Sequence, residues 1–430
     1  MQLYTKITIA LVAGAVAGLV ANLAGLDPMT RVLVAIEPVG TGWIRLITMV
    51  VVPLVFASLV VGTASLGDIT KLGRIGGKTV VYYLCTTAIA VSIGLVLSNL
   101  IEPGSRIDPA ALEGLRSAYM AESASRVELA QEAPRLIDVL MGMIPRNPME
   151  ALASGDMLPI IFFAIFFGAA VSALPGERRE HVVGFFDGVN EAAMVMIHWI
   201  MKLAPYAVFA LIAAVVARFG MDVLQSLLLY SVVVLLGLVL HAAFTYSVAL
   251  RLLARRGVRD FYARIREAQL IAFSTSSSNA TLPVSMEVAE EKLGIEKEVS
   301  SFVLPLGATI NMDGTALYQA VATMFIAQVL VGEISLTAQF GIVLTATLAS
   351  IGAAGVPSAG IIILVVVLEQ ALAGTGVDPA AGIALVLGVD RILDMFRTAV
   401  NVTGDLTAAA VIERSEYDHA LKHGVGRTAA

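Results

Sequence analysis

Long apolar runs constrain this chain more than any other feature of its sequence. A helix needs roughly 20 apolar residues to cross a bilayer. The clearest runs of that kind are Ile7–Leu23, Leu46–Gly62, Thr79–Leu97, Leu158–Leu174 and Leu224–Leu253. Hydrophobic residues make up 58% of the 430, charged residues only 14%, and the mean hydropathy is +0.85. A water-soluble fold could not bury so much apolar surface, so the sequence predicts an all-α integral membrane protein lying in a lipid bilayer.

The same sequence excludes several other kinds of protein and site. The first run has the outline of a signal peptide, since Lys6 precedes it, but its length and the later runs favour a membrane helix. No basic stripe with interleaved aromatic residues is present, so nucleic acid is not expected as a partner. The single cysteine, Cys85, excludes an intramolecular disulfide framework. The five histidines show no metal-ligand spacing.

Basic residues predict the orientation, because they collect on the cytoplasmic side of a membrane protein. They cluster after the second, fourth and sixth spans, at Lys71, Arg74, Lys78, Arg178, Arg179, Arg251, Arg255, Arg256, Arg259, Arg264 and Arg266. An even number of spans before each cluster places the N-terminus inside. The connection from about Pro103 to Asp156 is then external, with a solvated insertion at Asp108–Pro134 and a short amphipathic helix at Leu136–Ile144.

The last third of the chain is apolar but repeatedly interrupted. Polar or glycine-rich breaks occur at Ser274–Pro283, Asn311–Gly314 and Ser350–Gly360. Irregular backbone at membrane depth is tolerated only where it is buried in protein or lines a cavity, and broken helices in two related halves are typical of transporter binding sites. We predict two re-entrant hairpins with tips at Ser276–Asn279 and Ala353–Ser358, each followed by a span, Ser300–Val329 and Ala380–Ile412.

The final span carries the strongest chemical signal. Asp390, Asp394, Arg397, Asn401 and Asp405 are spaced 4, 3, 4 and 4 residues apart, which places them within roughly 80° of one helix face. An ion-pair stripe that only fixes helix packing is the alternative interpretation. Three carboxylates with one certain cation instead favour a site for added positive charge, either metal cations or an ammonium group. The planar guanidinium of Arg397 suits a carboxylate, so the face as a whole suits a zwitterion with an extra acid.

Three other polar groups allow two interpretations each. The run Ser274–Asn279 is either a polar turn or a set of hydroxyl and N–H donors for a carboxylate. Asn311–Asp313 is either a polar kink or an unwound segment whose oxygens bind a monovalent cation. Tyr83, Thr86 and Thr87 on the third span are either ligands or, as is favoured when they are taken alone, packing residues and hydroxyls bonded to their own helix.

Four motifs are similar to signatures of the glutamate/aspartate:cation symporter family, which includes archaeal aspartate transporters and neuronal excitatory amino acid transporters. They are Ser276–Pro283, Asn311–Gln319, Ser350–Pro357 and Asp394–Asp405. The resemblance is most specific over about residues 265–415, and the order of the earlier spans agrees with it.

The resemblance implies eight transmembrane helices and two re-entrant hairpins with inverted repeats, assembled as a homotrimer in a bacterial or archaeal inner membrane with both termini cytoplasmic. A scaffold would hold the trimer while each transport domain slides like an elevator. The implied scaffold consists of spans one and two in 1–75 and spans four and five in 137–256, a segment that also contains the sixth span. The third span of the transport domain lies in 76–103 and the transport core in 257–415. An extracellular insertion occupies 104–136 and a cytoplasmic tail 416–430.

The resemblance also implies roles for individual residues. Arg397 with Thr315 would bind the substrate side-chain carboxylate, Asp394 the amino group, and Asn401 with neighbouring Thr398 and the serine tip (Ser276, Ser277, Ser278) the main-chain carboxylate, while Val356 and Gly360 close over the ligand. Co-transported sodium would occupy three sites. Their ligands would be Gly307, Asn311, Asn401 and Asp405 in the first, backbone around Thr309, Met312, Ser350, Ile351 and Ala353 in the second, and Tyr83, Thr86, Thr87, Asn311 and Asp313 in the third.

The chain departs from the family at a few of these positions. Archaeal members have arginine at the position of Ser276, and eukaryotic ones have it at the position of Met395. This chain instead has Arg391, one helical turn before Met395, which either pairs with an acid such as Asp390 or supports the first hairpin. Position 319 is Gln where eukaryotic acidic amino acid carriers have Glu, and position 353 is Ala where archaeal members have Thr.

Together these features predict a sodium-coupled carrier of aspartate or glutamate. Dicarboxylate carriers of this family lack the equivalent of Asp394, and neutral amino acid carriers lack the equivalent of Arg397. Proton coupling in place of sodium stays open as an alternative. A channel would need only a polar pore, and an intramembrane serine hydrolase would need a base that is absent beside the serine run, so an enzyme is not expected.

Overall fold

The regular elements of this protein are helices, because apolar segments must satisfy their backbone hydrogen bonds internally where water is absent. The computed structural model describes residues 3–23, 27–66, 69–106, 141–332, 334–350, 359–372 and 379–422, and no strand occurs within these ranges. Its α-helices are α1 (Leu3–Leu23), α2 (Asp27–Ala35), α3 (Glu37–Leu66), α4 (Ile69–Ile101), α5 (Pro148–Ser154), α6 (Met157–Ser172), α7 (Gly176–Met201), α8 (Ala204–Ser226), α9 (Leu228–Leu240), α10 (Val258–Thr275), α11 (Ser278–Glu287), α12 (Lys297–Ile310), α13 (Asp313–Leu330), α14 (Leu336–Ala349), α15 (Ala359–Ala371) and α16 (Pro379–Lys422).

Three segments of the described chain are long and apolar enough to cross a membrane as single helices. They are Thr5–Asn22, Gly73–Ser105 and Leu228–Leu253, and the last includes two π-helical stretches, His241–Tyr246 and Ala249–Leu253. A fourth candidate is the pair Gly176–Met201 and Ala204–Ala214, which meet at 58°. The fold is therefore an all-helical membrane architecture with interrupted as well as continuous helices.

The first two predicted breaks are present in the structure. Helix α10 ends at Thr275 and α11 begins at Ser278, so the two helices meet at the serine run. Ser276 adopts a left-handed backbone conformation with φ of 51°, and the Ser277 hydroxyl caps α11 by accepting the Ala280 N–H at 3.1 Å. Helix α12 ends at Ile310 and α13 begins at Asp313, which leaves Asn311 and Met312 outside both helices.

Other predicted features lie outside the described residues. These are most of the insertion at 107–140, the last residues of the tail at 423–430, and the third break at 351–358 with the tip of the second hairpin. Helices α14 and α15 flank that third break. Ile351, Ala353 and Val356 belong to it, so their assignments stay predictions.

Two apolar cores enclose the polar face of α16. One joins α3, α6, α7, α10, α11 and α12 to the C-terminal half of α16, and the other joins α4, α9, α13 and α15 to its N-terminal half. Leu393 belongs to one core and Met395 to the other. Asp390, Asp394 and Arg397 therefore lie where the two cores adjoin on α16, and all three are buried.

A charged cluster ties the end of α16 to α4. Glu416, buried to 2% exposure, accepts hydrogen bonds from Arg74 at 2.7 Å and Lys78 at 2.9 Å, and Lys78 also donates to the Ser415 hydroxyl. Burial alone would raise the pKa of Glu416, but the hydrogen bonds from Arg74 and Lys78 outweigh it and lower the pKa below its ordinary value. The cluster fixes the two helices to each other beyond the apolar core.

Candidate functional site

The charged face predicted on α16 is buried and internally paired. Arg397 is fully buried, and its Nη2 lies 2.7 Å from Oδ1 of Asp394 and 3.0 Å from Oδ1 of Asp390. Its guanidinium carbon stacks 3.9 Å from the centroid of the Tyr318 ring on α13. The predicted spacing thus brings one cation and two carboxylates together, while Arg391 beside them is only half-buried.

Part of the Arg397 guanidinium remains available. Among the described residues, Nε and Nη1 have no hydrogen-bond partner. A β-carbon built on Gly360 would lie 3.6 Å from Nη1 and 3.0 Å from Cγ2 of Thr315, so Gly360, Thr315 and Arg397 border the same small space. A buried guanidinium with unused donors is costly unless a further acceptor arrives, which makes this the place for an anionic group.

The serine turn packs beside α16. Helices α10 and α11 both contact α16, and the Phe273 ring meets the Phe396 ring edge-on at a centroid distance of 4.9 Å. The Ser277 hydroxyl is used as a helix cap, as described above. By contrast, the buried hydroxyl of Ser276 has no hydrogen-bond partner in the described part of the chain. Ser278, the first residue of α11, is buried as well.

Asn401 fastens α16 to the break between α12 and α13. Its Oδ1 accepts the Gly314 N–H at 2.7 Å, and its Nδ2 lies 3.2 Å from the Thr315 hydroxyl and 3.3 Å from the Met312 sulfur. A β-carbon on Gly314 would come within 2.6 Å of the Arg397 carbonyl oxygen, so glycine is required for this approach. The break is therefore held against the α16 turn that carries Arg397.

A second group of oxygens surrounds Asp405. Asn311 donates to Oδ1 of Asp405 at 2.9 Å, and the Asn311 Oδ1 is buried without a hydrogen-bond partner among the described residues. A β-carbon on Gly307 would lie 2.5 Å from Oδ1 of Asp405 and 2.6 Å from the Tyr83 hydroxyl, so glycine leaves room for both. Hard cations prefer oxygen ligands, so the unused amide oxygen beside a buried carboxylate makes this group a candidate cation site.

Asp313 has a separate set of donors from two other helices. Thr87 on α4 donates to Oδ1 at 2.6 Å, while the Tyr246 hydroxyl and the His241 Nε2 contact Oδ2 at 3.0 and 3.2 Å. Taken alone, Thr87 was expected to bond within its own helix, whereas the family resemblance grouped it with Asp313; its hydroxyl contacts that carboxylate. His241 and Tyr246 were missed altogether, because no spacing rule links them to position 313.

Four other predicted residues use their hydroxyls within their own helices. The Thr86 hydroxyl donates to the Tyr83 carbonyl, Thr309 to Pro305, Ser350 to Thr347, and Thr398 to Asp394, at 3.1, 3.3, 2.8 and 2.8 Å. The Tyr83 hydroxyl itself donates to the Val303 carbonyl at 2.8 Å. No group of three His, Cys, Asp or Glu side chains in the described ranges is arranged to hold a metal ion. The candidate oxygens around Asp405 and Asp313 therefore come mostly from hydroxyls, amides and backbone.

Comparisons with known proteins connect this arrangement to membrane carriers. Residues 3–415 match the profile of the Sodium:dicarboxylate symporter family. The Proton/sodium-glutamate symport protein of Bacillus caldotenax is 37% identical over 396 residues, which cover 92% of this chain and 91% of that protein. The Proton/glutamate-aspartate symporter of Escherichia coli (strain K12) is 36% identical over 383 residues, covering 89% and 85% of the two chains. The C4-dicarboxylate transport protein of Bacillus subtilis (strain 168) is 32% identical over 419 residues, covering 97% and 95%.

Proposed function

Because this chain belongs to the sodium:dicarboxylate symporter family, and is therefore a membrane symporter and not an enzyme, we propose that it takes up L-aspartate or L-glutamate together with sodium ions. The observation that carries the proposal is the buried guanidinium of Arg397, which has unused donors beside the buried carboxylate of Asp394. An acidic amino acid brings an acceptor for the first group and an ammonium for the second.

The substrate pose follows from these charges. The side-chain carboxylate of the substrate accepts hydrogen bonds from Arg397 and lies near Thr315, while Asp394 binds the amino group. Asn401, Thr398 and the serine turn Ser276–Ser278 receive the main-chain carboxylate, and Gly360 with Val356 covers the ligand. Asp394 now bonds Arg397, and Asn401 now bonds Thr315, at 2.7 and 3.2 Å. Substrate binding exchanges these internal contacts for contacts with the ligand, so little new desolvation is needed.

Sodium is assigned to the two buried acidic groups outside the substrate space. Asp405 with Asn311, Asn401 and Gly307 forms one site, and Asp313 with Thr87 and Asn311 belongs to another, to which Tyr83 and Thr86 add oxygens. A third sodium site, without an acidic side chain, is formed by backbone around Thr309, Met312, Ser350, Ile351 and Ala353. The unpartnered Oδ1 of Asn311 supports this assignment, because a buried amide oxygen without a donor is free to bind a cation.

The family relationship also supports the finer architecture. We assign eight spans and two re-entrant hairpins, a trimer built on scaffold spans one and two in 1–75 and scaffold spans four and five in 137–256, and a sliding transport domain built on 76–103 and 257–415. The cell membrane of a bacterium or archaeon is the proposed location, with both termini cytoplasmic, an insertion at 104–136 outside and the tail 416–430 inside.

Two alternatives within the family are separated by one experiment. Relatives carry the printed names of proton/sodium-glutamate and C4-dicarboxylate carriers, so proton coupling and dicarboxylate transport are the competing functions. Purified protein in liposomes is given radiolabelled aspartate, glutamate or succinate, with sodium and pH gradients varied separately. We expect an inward sodium gradient to drive uptake of an amino acid that succinate does not inhibit. Uptake driven by a pH gradient without sodium establishes proton coupling, and succinate uptake alone establishes a dicarboxylate carrier.

The amide at position 319 leads to a further prediction, about whether protons or potassium take part in transport. The side chain of Gln319 is fully buried, and neither amide atom has a hydrogen-bond partner in the described ranges. An amide cannot titrate, whereas a glutamate in a buried site can hold a proton near neutral pH. We therefore expect no proton to be carried at this position and no potassium requirement for the return step. Equal uptake with internal potassium or internal choline is the expected measurement, and uptake that collapses in choline contradicts it.

A further inference from the structure

A π-helical stretch in the span Leu228–Leu253 places two side chains that the proposed function does not use. His241 and Tyr246 are the first and last residues of this stretch. In an α-helix, residues five apart point about 140° away from each other. With i to i+5 hydrogen bonding they lie one above the other, and short π segments occur frequently at functional sites. The π segment therefore presents both side chains to the same neighbour.

That neighbour is the carboxylate of Asp313. The Tyr246 hydroxyl donates to Oδ2 at 3.0 Å, and Nε2 of His241 lies 3.2 Å from the same oxygen. All three side chains are fully buried, and the two rings meet edge-on at 4.7 Å. A carboxylate that binds a cation is ionised and only accepts hydrogen bonds, so a cation site at Asp313 requires Nε2 of His241 to be the donor in this contact. The opposite ring nitrogen, Nδ1, has no hydrogen-bond partner among the described residues.

The three donors define what remains free on Asp313. A carboxylate accepts about four hydrogen bonds, two on each oxygen. His241 and Tyr246 occupy Oδ2, and Thr87 takes one position on Oδ1 at 2.6 Å. The remaining position is on Oδ1. Within the described ranges no Lys or Arg side chain pairs with Asp313, so the buried negative charge lacks a permanent cation.

The glycine at position 404 links this arrangement to the rest of the acidic group. A β-carbon there would lie 2.5 Å from the Tyr246 hydroxyl and 2.8 Å from Nδ2 of Asn311. Asn311 in turn holds Asp405 at 2.9 Å. The Tyr246 hydroxyl therefore lies between Asp313 and the Asn311–Asp405 pair, at the centre of the acidic group.

We propose that His241 and Tyr246 are positioning residues that hold Oδ2 of Asp313 and thereby direct Oδ1 toward a bound sodium ion. The inference rests on the proposed function, because it takes sodium to be the cation bound at Asp313. Both donors bond the carboxylate, and the Tyr246 hydroxyl also lies 3.3 Å from the Val400 carbonyl on α16, farther than the 3.0 Å to Asp313. Their loss weakens sodium binding, because Oδ2 of Asp313 is then no longer fixed and the carboxylate is oriented only through the Thr87 bond to Oδ1 among the described side chains, while the substrate site keeps its own contacts.

The test compares variants that differ in a single donor. Tyr246→Phe removes the hydroxyl, His241→Leu removes the ring donor, and His241→Gln restores an amide N–H at the position of Nε2. Tyr262→Phe is the matched control, because the Tyr262 hydroxyl donates to the Ala242 carbonyl in the same π segment at 2.8 Å without reaching Asp313. For each purified protein, aspartate binding is measured over a range of sodium concentrations, and aspartate affinity is measured again at saturating sodium.

We expect Tyr246→Phe and His241→Leu to raise the half-saturating sodium concentration roughly tenfold, since each removes a buried hydrogen bond to a charged group. At saturating sodium, the aspartate affinity of every variant should stay within about twofold of that of the unmutated protein. The half-saturating sodium concentrations of His241→Gln and of the Tyr262→Phe control should stay within the same range. An unchanged sodium dependence in Tyr246→Phe, or a His241→Gln variant as impaired as His241→Leu, overturns the inference and leaves the proposed function standing. Aspartate binding that is independent of sodium in the unmutated protein overturns both.

Discussion

Replacing Arg397 with threonine tests the substrate assignment most directly. The substitution removes the guanidinium that contacts Asp390 and Asp394, at 3.0 and 2.7 Å, and stacks on Tyr318. It also removes the unused Nε and Nη1 donors that we assign to the substrate side chain. Asp394 keeps its place on α16 and remains available for an amino group.

The size of the effect follows from burial. Losing a charged, hydrogen-bonded contact in a desolvated site costs about 2–5 kcal/mol of binding free energy. At about 1.4 kcal/mol per factor of ten, aspartate affinity should fall by roughly 30-fold to several-thousand-fold. Serine or alanine, which needs no guanidinium, should become a ligand. Arg397→Lys is the matched control: it keeps the charge but loses the planar fork, so we expect an intermediate loss for aspartate.

The assay is competition between radiolabelled aspartate and unlabelled amino acids on purified variants at saturating sodium. A size-exclusion profile in detergent checks that each variant remains folded, and binding of serine or alanine by Arg397→Thr gives a positive readout that a misfolded protein cannot give. Unchanged aspartate affinity in Arg397→Thr refutes the assignment of Arg397 to the substrate carboxylate.

Three further predictions concern the same helix. Asp405→Asn should weaken the sodium dependence of transport and, because coupling between sites is reciprocal, lower aspartate affinity at limiting sodium; equal sodium titrations contradict this. Arg391→Ala should change transport rate or affinity modestly without loss of acidic preference, and adding Met395→Arg should recover part of the change; no recovery with less folded protein favours a packing role. Glu416→Gln should lower the melting temperature at neutral pH by removing two ion pairs. The lowered pKa of Glu416 means that this stabilisation disappears as the pH falls through that pKa, so the difference in melting temperature should shrink in acid.

Much of the site was predictable because its residues obey helical spacing in apolar surroundings. The face from Asp390 to Asp405 follows a period of 3.6, and burying several ionisable groups in a membrane helix requires that they meet each other. The breaks at Ser276 and Asn311 were predictable for a related reason, since runs of small polar residues interrupt long apolar segments there. Patterns that recur along a single helix are therefore enough to predict its charged face and the positions where helices break.

The donors to Asp313 were not predictable from such patterns. His241 and Tyr246 are five residues apart, which an α-helical reading places on different faces. They converge only because this stretch is π-helical, and nothing in its composition specifies the extra residue in the turn. Spacing alone did not identify the partner of each hydroxyl either, although the family resemblance had grouped Thr87 with Asp313. Thr86 and Thr87 are adjacent and chemically identical, yet one bonds its own helix and the other reaches Asp313 on α13, according to how α4 packs.

The break between α12 and α13 gives the two candidate sites a shared mechanical element. Asn401 of α16 holds the Gly314 N–H at 2.7 Å and the Thr315 hydroxyl at 3.2 Å, and one turn earlier on α16 is Arg397. On the other side of the same break, Asn311 holds Asp405, one turn later on α16. A cation that takes the free oxygen of Asn311 fixes the unwound segment, and the segment fixes Asn401 and Thr315 at the substrate space. In the symport proposed above, each ligand would therefore lower the ordering cost of the other, which makes the binding of cation and substrate positively cooperative.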